Sequence, residues 1–282
     1  MTKSVFILLD IDGVLVRPGG YRHAFINTVN YFLAFFGQSH LSVDEKIAEK
    51  FEFAGIQAEW DMVPLTIAAF FDWYAVFSQR TEPFGTVANA AQLIPVGTAE
   101  DFIAFLNPKI LEYGEIPLND EIYPLAVLNH CRQEKIKSIL SKIWADPILS
   151  EILDNTQNVH ASVLFRRLEN EILGSKIFYE TFGFWPEADL SSSLEQFDVP
   201  LISDFYREKI GDMNGGAIHA CMMTARPNLL PTGVDPDTVV SHRILPEAEI
   251  ARKAIGWKTC RLSGLGRYVM LRKKSICQRM PI

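Results

Sequence analysis

Acidic residues are missing from the last part of this 282-residue chain. All 34 aspartates and glutamates precede residue 250, whereas nine of the 27 lysines and arginines lie in residues 250–282. A basic tail on an acidic body can contact nucleic acid or an anionic membrane. Because the body is strongly acidic and the whole chain carries −7, we rank a nucleic-acid partner low. Such a contact would make retention on DNA or RNA fall steeply with salt.

Cysteine is scarce, and long apolar runs are absent. The four cysteines are scattered without C-x-x-C spacing, which excludes a disulfide framework and a zinc site of that kind. No apolar run is long enough to span a bilayer. The run from Phe6 to Leu9 follows a single lysine and ends at acids, unlike a signal peptide. We therefore expect a cytoplasmic protein with reduced thiols and no membrane partner.

What the chain does contain is typical of a soluble globular protein, with 48% hydrophobic and 22% charged residues. Its length suits one large domain or two ordinary ones. The sequence carries no internal repeat and no low-complexity segment.

Two acids follow the first apolar run. Residues 5–9 are all apolar, which predicts a buried strand of a parallel sheet. Asp10 and Asp12 stand at its carboxyl end, and Gly13 follows. Ligands of open α/β sheets bind beyond the carboxyl ends of strands, and a buried carboxylate pair needs a cation or a shared proton. The alternative is that the acids cap a turn or helix, for which one aspartate suffices.

These residues resemble a known motif. Residues Asp10 to Leu15 read D-I-D-G-V-L, similar to the first motif, D-x-D-G-[VT]-L, of the haloacid dehalogenase superfamily. A second motif of that superfamily is an apolar strand that closes on Ser or Thr. Residues 217–224 are similar to it, since they end at Thr224, before Ala225-Arg226-Pro227. An alternative role for Thr224 is to cap the following turn.

The resemblance implies an α/β fold with a Rossmann-like parallel-sheet core, formed by residues 1–17 and 200–282, and a large all-helical cap, residues 18–199. Helical spacing and cap signals support a helical middle of the chain. We predict helices over residues 21–36, 42–54, 59–77, 98–106, 123–144, 159–182, 204–210 and 246–257, with Gly174 as a break and Asp146 as an N-cap.

The resemblance also implies site roles. Asp10 would be the nucleophile that forms an aspartyl-phosphate, and Asp12 the general acid and base. Thr224, Ala225 and Gly13 would bind the phosphoryl group. Asp10 and Asp12 would hold Mg²⁺ as cofactor. The implied substrate is a small-molecule phosphate ester, although a phosphoserine protein phosphatase or a phosphomutase would share every one of these residues.

The chain departs from the superfamily pattern after the second motif. The active-site lysine has no recognisable context, leaving Lys253, Lys258, Lys273 and Lys274 as candidates by chemistry alone. The later acidic metal motif has no candidate, because no acid follows Glu249. From about Thr259 we predict no further strand, so the core lacks its last strands.

Two explanations of this departure stay open. One is a C-terminus that is shortened or out of register. The other is a genuine tail on a degenerate member that binds ligands or partners without turnover. The sequence carries no signal for the oligomeric state.

Overall fold

The computed structural model describes residues 5–213, 218–227, 246–257 and 261–266. In these ranges the protein is a mixed α/β structure with a small parallel sheet and a large helical part. The strands are β1 (Val5–Asp10), β2 (Val16–Arg17), β3 (Val199–Pro200), β4 (Ile218–Pro227) and β5 (Arg261–Gly266). The helices are α1 (Gly20–Phe35), α2 (Glu45–Phe53), α3 (Glu59–Phe77), α4 (Ala99–Gly114), α5 (Tyr123–Glu134), α6 (Pro147–Leu153), α7 (Val163–Phe182), α8 (Ser193–Phe197), α9 (Asp204–Met213) and α10 (Pro246–Ile255).

The three-stranded sheet has the order β1-β4-β5, and both pairings are parallel. Asp10 lies opposite Met223, so the carboxyl end of β1 meets β4 next to Thr224. The predicted strands at residues 5–9 and 217–224 are confirmed in type, and β4 runs on to Pro227.

The prediction that the first strand is buried is wrong. Val5 and Leu8 are 53% and 62% exposed. Within the described part of the chain, β1 is an edge strand, because β4 is its sole pairing partner there. A side chain on such a strand is covered only where a neighbouring element packs over that face.

The prediction of no strand after Thr259 is also wrong for the described residues. Arg261–Gly266 forms β5, with Gly264 opposite Thr224. Parallel pairing uses backbone groups, so a glycine-containing segment can add to the edge of β4 without a strongly apolar pattern. The candidate lysines Lys258, Lys273 and Lys274 lie outside the described residues.

A two-stranded antiparallel ribbon joins the sheet region to the helices. Val16 pairs with Pro200, and Arg17 pairs with Val199. The amide of Leu201 donates to the Leu15 carbonyl at 2.9 Å, which extends the pairing. The chain therefore enters and leaves the helical segment (residues 20–197) at one place. Turn signals at residues 16–20 predicted an exit from the sheet but not this pairing.

The helices agree with the predictions in position but differ at several ends, and the short helix α8 was not predicted. Asp44, not Ser42, caps α2 by accepting from the Lys46 amide. Helix α4 begins at a capping box of Thr98 and Asp101 and continues beyond Leu106. It runs through Pro108 because Ile110 and Tyr113 are buried beyond it, and that burial offsets the lost hydrogen bond. Helix α5 ends at Glu134, where the chain turns with φ of 53° at Lys135.

Two separate hydrophobic clusters stabilise the structure. The larger one is built almost wholly from the helical segment, and Ile250 of α10 joins it. The smaller one lies under the sheet and consists of Ile11, Leu15, Val16, Met222, Ala251, Ile255 and Trp257. The division into residues 1–17 with 200–282 and residues 18–199 stays a prediction. In the part of the chain described, no helix has the length and apolarity needed to cross a bilayer.

Candidate functional site

The candidate site lies at the carboxyl end of β1, beside the last residues of β4. The Ile11 amide donates to the Met223 carbonyl at 2.9 Å, and the Ile11 side chain is fully buried in the small cluster. Because successive side chains leave an extended chain on opposite sides, anchoring Ile11 inward turns its two acidic neighbours outward. Asp10 is exposed, and Asp12 is half-buried.

Asp12 and Thr224 are in direct contact. The Thr224 hydroxyl donates to Asp12 Oδ2 at 3.2 Å. The same hydroxyl accepts from the Arg226 amide at 3.0 Å, so the turn-capping alternative for Thr224 is also realised. Thr224 is almost fully buried, whereas Ala225 is exposed beside it.

Asp10 differs from Asp12 in its contacts with the described residues. Within the ranges the structure describes, its carboxylate forms no hydrogen bond and no ion pair. A carboxylate at the lip of a sheet without a protein partner remains available to a ligand or a metal ion.

The loop after Asp10 offers two backbone donors. The amide of Gly13 donates to Val16 O at 2.7 Å, so Gly13 does not supply an N–H. The amides of Asp12 and Val14 form no hydrogen bond with described residues. Gly13 has φ of +80°, and a Cβ added there would meet open space. Its role is therefore to shape the loop.

Neither motif gives Arg226 a role, yet this residue organises the site. Its Nη2 donates to Asp12 Oδ1 at 2.7 Å, and its Nε lies 3.1 and 3.2 Å from the two oxygens of Asp12. The same Nη2 donates to Asp198 Oδ2 at 2.6 Å, and Nη1 donates to the Glu247 carbonyl at 3.1 Å. The Arg226 Cζ atom lies over the Tyr21 ring, 5.4 Å from the ring centroid.

A sequence signal for Arg226 existed. Arg226 stands two residues after Thr224 in an apolar strand, where burial is expected, and a buried arginine needs anionic or carbonyl partners. Finding Asp198 as one partner required the fold, since it is 28 residues away in the chain.

The site holds a fixed positive charge among acids. Burial alone lowers the pKa of Arg226, but Tyr21, Asp12 and Asp198 raise it above its ordinary value. Burial raises the pKa of Tyr21 well above its ordinary value, with Glu247 as the next cause. Burial also raises the pKa of Glu59 to about 7, with Asp12 contributing. The Tyr21 hydroxyl is buried without a hydrogen-bond partner.

A magnesium ion would find few protein ligands here. Among the described residues, no group of three or more His, Cys, Asp or Glu side chains could hold a metal ion. Asp10 is free to coordinate, but both oxygens of Asp12 accept hydrogen bonds. Mg²⁺ commonly uses one or two carboxylates together with waters and substrate phosphate. The donor set fits an ion shared between Asp10 and a bound phosphate.

Lys253 does not lie at this site. It is exposed and lines a cavity of about 380 Å³ together with residues of α7 and α8, including Gly174 and Glu195. None of the site residues lines that cavity, so the structure does not give Lys253 the role of the active-site lysine.

Comparison with known proteins gives the fold alone. No protein-family model matches the chain, and no curated protein matches it. A solved structure described as the X-ray structure of Northeast Structural Genomics Consortium target ZR25 is similar, with a TM-score of 0.55 and 14% sequence identity. The similarity covers 94% of this chain and 70% of that one. The overall arrangement of helices and sheet therefore recurs in another protein.

Proposed function

We propose that this protein is a phosphatase of the haloacid dehalogenase type, which hydrolyses a small-molecule phosphate monoester through an aspartyl-phosphate at Asp10. The observation that supports it is the joint placement of the two motifs. Asp10, whose carboxylate has no partner among the described residues, stands beside an Asp12–Thr224 contact of 3.2 Å where β1 ends next to β4. On this proposal the sheet region is a Rossmann-like core, and the helical segment is a cap.

The first half-reaction forms a bond between an Asp10 carboxylate oxygen and phosphorus and breaks the bond from phosphorus to the ester oxygen. Asp12 protonates the departing alkoxide. Of its two oxygens, Oδ2 has only contacts of 3.2 Å, whereas Oδ1 accepts from Arg226 at 2.7 Å. Oδ2 is therefore the oxygen we assign to proton transfer.

In the second half-reaction Asp12 removes a proton from water, which attacks the phosphorus. Asp10 is regenerated, and inorganic phosphate leaves. The Thr224 hydroxyl and the amides of Asp12 and Val14 hold the phosphoryl oxygens, and Ala225 borders the site. Asp10 would hold Mg²⁺, which would supply charge neutralisation. Phosphate hydrolysis in the cytoplasm stays a prediction for this chain.

The test is Mg²⁺-dependent turnover of an aryl phosphate such as 4-nitrophenyl phosphate. Asp10→Asn should lower kcat by roughly 10³-fold or more, because the amide is a far weaker nucleophile. Asp189→Asn is the matched control, since Asp189 is exposed and outside the site; it should keep full activity. Equal rates in the two variants would refute the assignment of Asp10.

A second candidate is a degenerate member that binds a phosphorylated ligand without turnover. The observation that favours it is the lack of a third acid near Asp10 among the described residues. It predicts calorimetric binding of inorganic phosphate with no measurable hydrolysis of any ester. Binding should then weaken in Thr224→Ala and persist in Asp189→Asn.

A further inference from the structure

Arg226 connects the candidate site with the place where the helical segment joins the sheet region. Asp198 immediately precedes β3, one of the two strands in the connecting ribbon. Its Oδ1 accepts from the amides of Gly19 and Gly20 at 3.1 and 3.0 Å, at the start of α1. Its Oδ2 accepts from Arg226 at 2.6 Å.

One continuous chain of charged hydrogen bonds thus runs from Asp12 through Arg226 and Asp198 to the first amides of α1. The Asp198 carboxylate is fully buried, and the Arg226 side chain is 1% exposed. Charged hydrogen bonds of this length are strong and directional. Removing one partner of a buried pair leaves an uncompensated charge, so the members of the chain hold one another in place.

This series of hydrogen bonds also fixes the conformation of Asp12. Nε and Nη2 of Arg226 contact the Asp12 carboxylate in a fork that allows one orientation of its plane. Arg226 itself is held from the other side by Asp198 and by the Glu247 carbonyl. A movement of the ribbon that displaced Asp198 would therefore shift Arg226 and, with it, the reactive carboxylate.

We propose that Arg226 is the positioning residue of Asp12 and that Asp198 anchors it, so that the orientation of Asp12 is coupled to the junction between α1 and the ribbon. The kinetic consequence rests on the proposed phosphatase function. The coupling itself does not, and it can be measured in a protein that turns over no ester.

Hydrogen exchange measures the coupling directly. The readout is exchange at the Gly19 and Gly20 amides, normalised to the Ile110 amide in α4 as a reporter of global opening. Asp12→Asn should speed exchange at the two glycine amides by about tenfold relative to the Ile110 amide, because the series of hydrogen bonds loses its charged group at Asp12. Asp10→Asn is the matched control and should leave it unchanged. Equal ratios in both variants, including uniform acceleration of all three amides, overturn the proposal.

Steady-state kinetics measures the consequence for Asp12. Asp198→Asn keeps an acceptor for the glycine amides but removes the charge that holds Arg226. It should lower kcat by about 10- to 100-fold, change KM less than threefold and shift the acidic limb of the kcat–pH profile. Glu171→Gln is the control, since it removes the buried partner of Arg167 within α7. If Asp198→Asn has the same kcat and the same pH profile as Glu171→Gln, the positioning role is overturned.

The two failures are distinguishable. Absence of turnover in the wild-type protein refutes the phosphatase function, while the exchange ratios still decide the coupling. Arg226→Lys adds a rescue test: it should retain part of kcat, whereas Arg226→Gln should retain none of the coupling at Gly19 and Gly20. If Arg226→Lys retains no more kcat and no more of the coupling at Gly19 and Gly20 than Arg226→Gln, the positioning role is overturned.

Discussion

The helical segment and the described part of the sheet region bury very different numbers of apolar side chains. The helical segment buries an almost continuous aromatic and aliphatic core, and α3 alone is buried from Asp61 to Ala75. The described sheet region has seven buried hydrophobic side chains in its cluster, and β1 exposes Val5 and Leu8. The candidate site nevertheless lies in the sheet region.

This contrast shows that packing and chemistry are divided between the two regions. The helical segment supplies buried area, which scales with apolar surface removed from water. The sheet region supplies strand ends, and polar groups there are held by directional bonds to Arg226 rather than by packing. The ribbon, Asp198 and Ile250 of α10 link the two, so the well-packed part can restrain the less well-packed part.

The largest expected effect compares the same substitution in the two regions. Leu65 in α3 is fully buried, whereas Leu8 in β1 is 62% exposed. Leu65→Ala should lower the free energy of unfolding by roughly 3–5 kcal/mol, because it leaves a cavity. Leu8→Ala should lower it by less than about 0.5 kcal/mol. Urea denaturation measures both, and similar costs would show that the two regions are packed alike.

A pH-dependent effect comes from Asp61 in the first turn of α3. Burial raises its pKa from 3.8 to about 7, and Oδ1 has no hydrogen-bond partner. The folded protein thus keeps a proton that the unfolded chain releases between about pH 4 and pH 7. The free energy of unfolding should fall as pH rises through this window.

Asp61→Asn should remove this pH dependence and raise stability at pH 8 by roughly 2–4 kcal/mol relative to the wild type. At pH 4 the two proteins should be nearly equal. Thermal unfolding at both pH values is the measurement. The same difference at pH 4 and pH 8 would show that Asp61 does not titrate in this range.

A smaller effect is expected at Gly174, where α7 breaks with φ of +72° next to α8. A Cβ there would lie 2.6 Å from the Ser192 amide nitrogen. Gly174→Ala should lower the free energy of unfolding, measured by urea denaturation, by roughly 1–3 kcal/mol, because alanine is strained at a positive φ and its Cβ would approach Ser192. Gly85→Ala isolates the strain, because Gly85 has φ of +78° and meets only the movable amide of Asn89 at 3.3 Å. Equal costs would mean that the approach to α8 does not matter.

Much of the site and fold could be predicted from local patterns. The apolar run before Asp10, the helix over Glu59–Phe77 and the N-cap Asp146 are each set by residues adjacent in the chain. Helix ends were less predictable. Helix α4, for example, passes through Pro108 because side chains beyond it are buried in the core. The edge position of β1 depends on which elements pack beside it, which its own residues do not specify.

The sequence by itself determined that two acids lie at the end of a strand, that a threonine lies in another strand and that helices separate them. Spacing, apolar periodicity and capping chemistry act over a few residues, so they can be read along the chain. Only the tertiary structure decided that Arg226 joins Asp12 to Asp198 and that the Asp10 carboxylate has no partner in the described part of the chain. Those contacts link residues as far apart as 214 positions, and they form because a buried guanidinium must find its anions wherever the fold brings them.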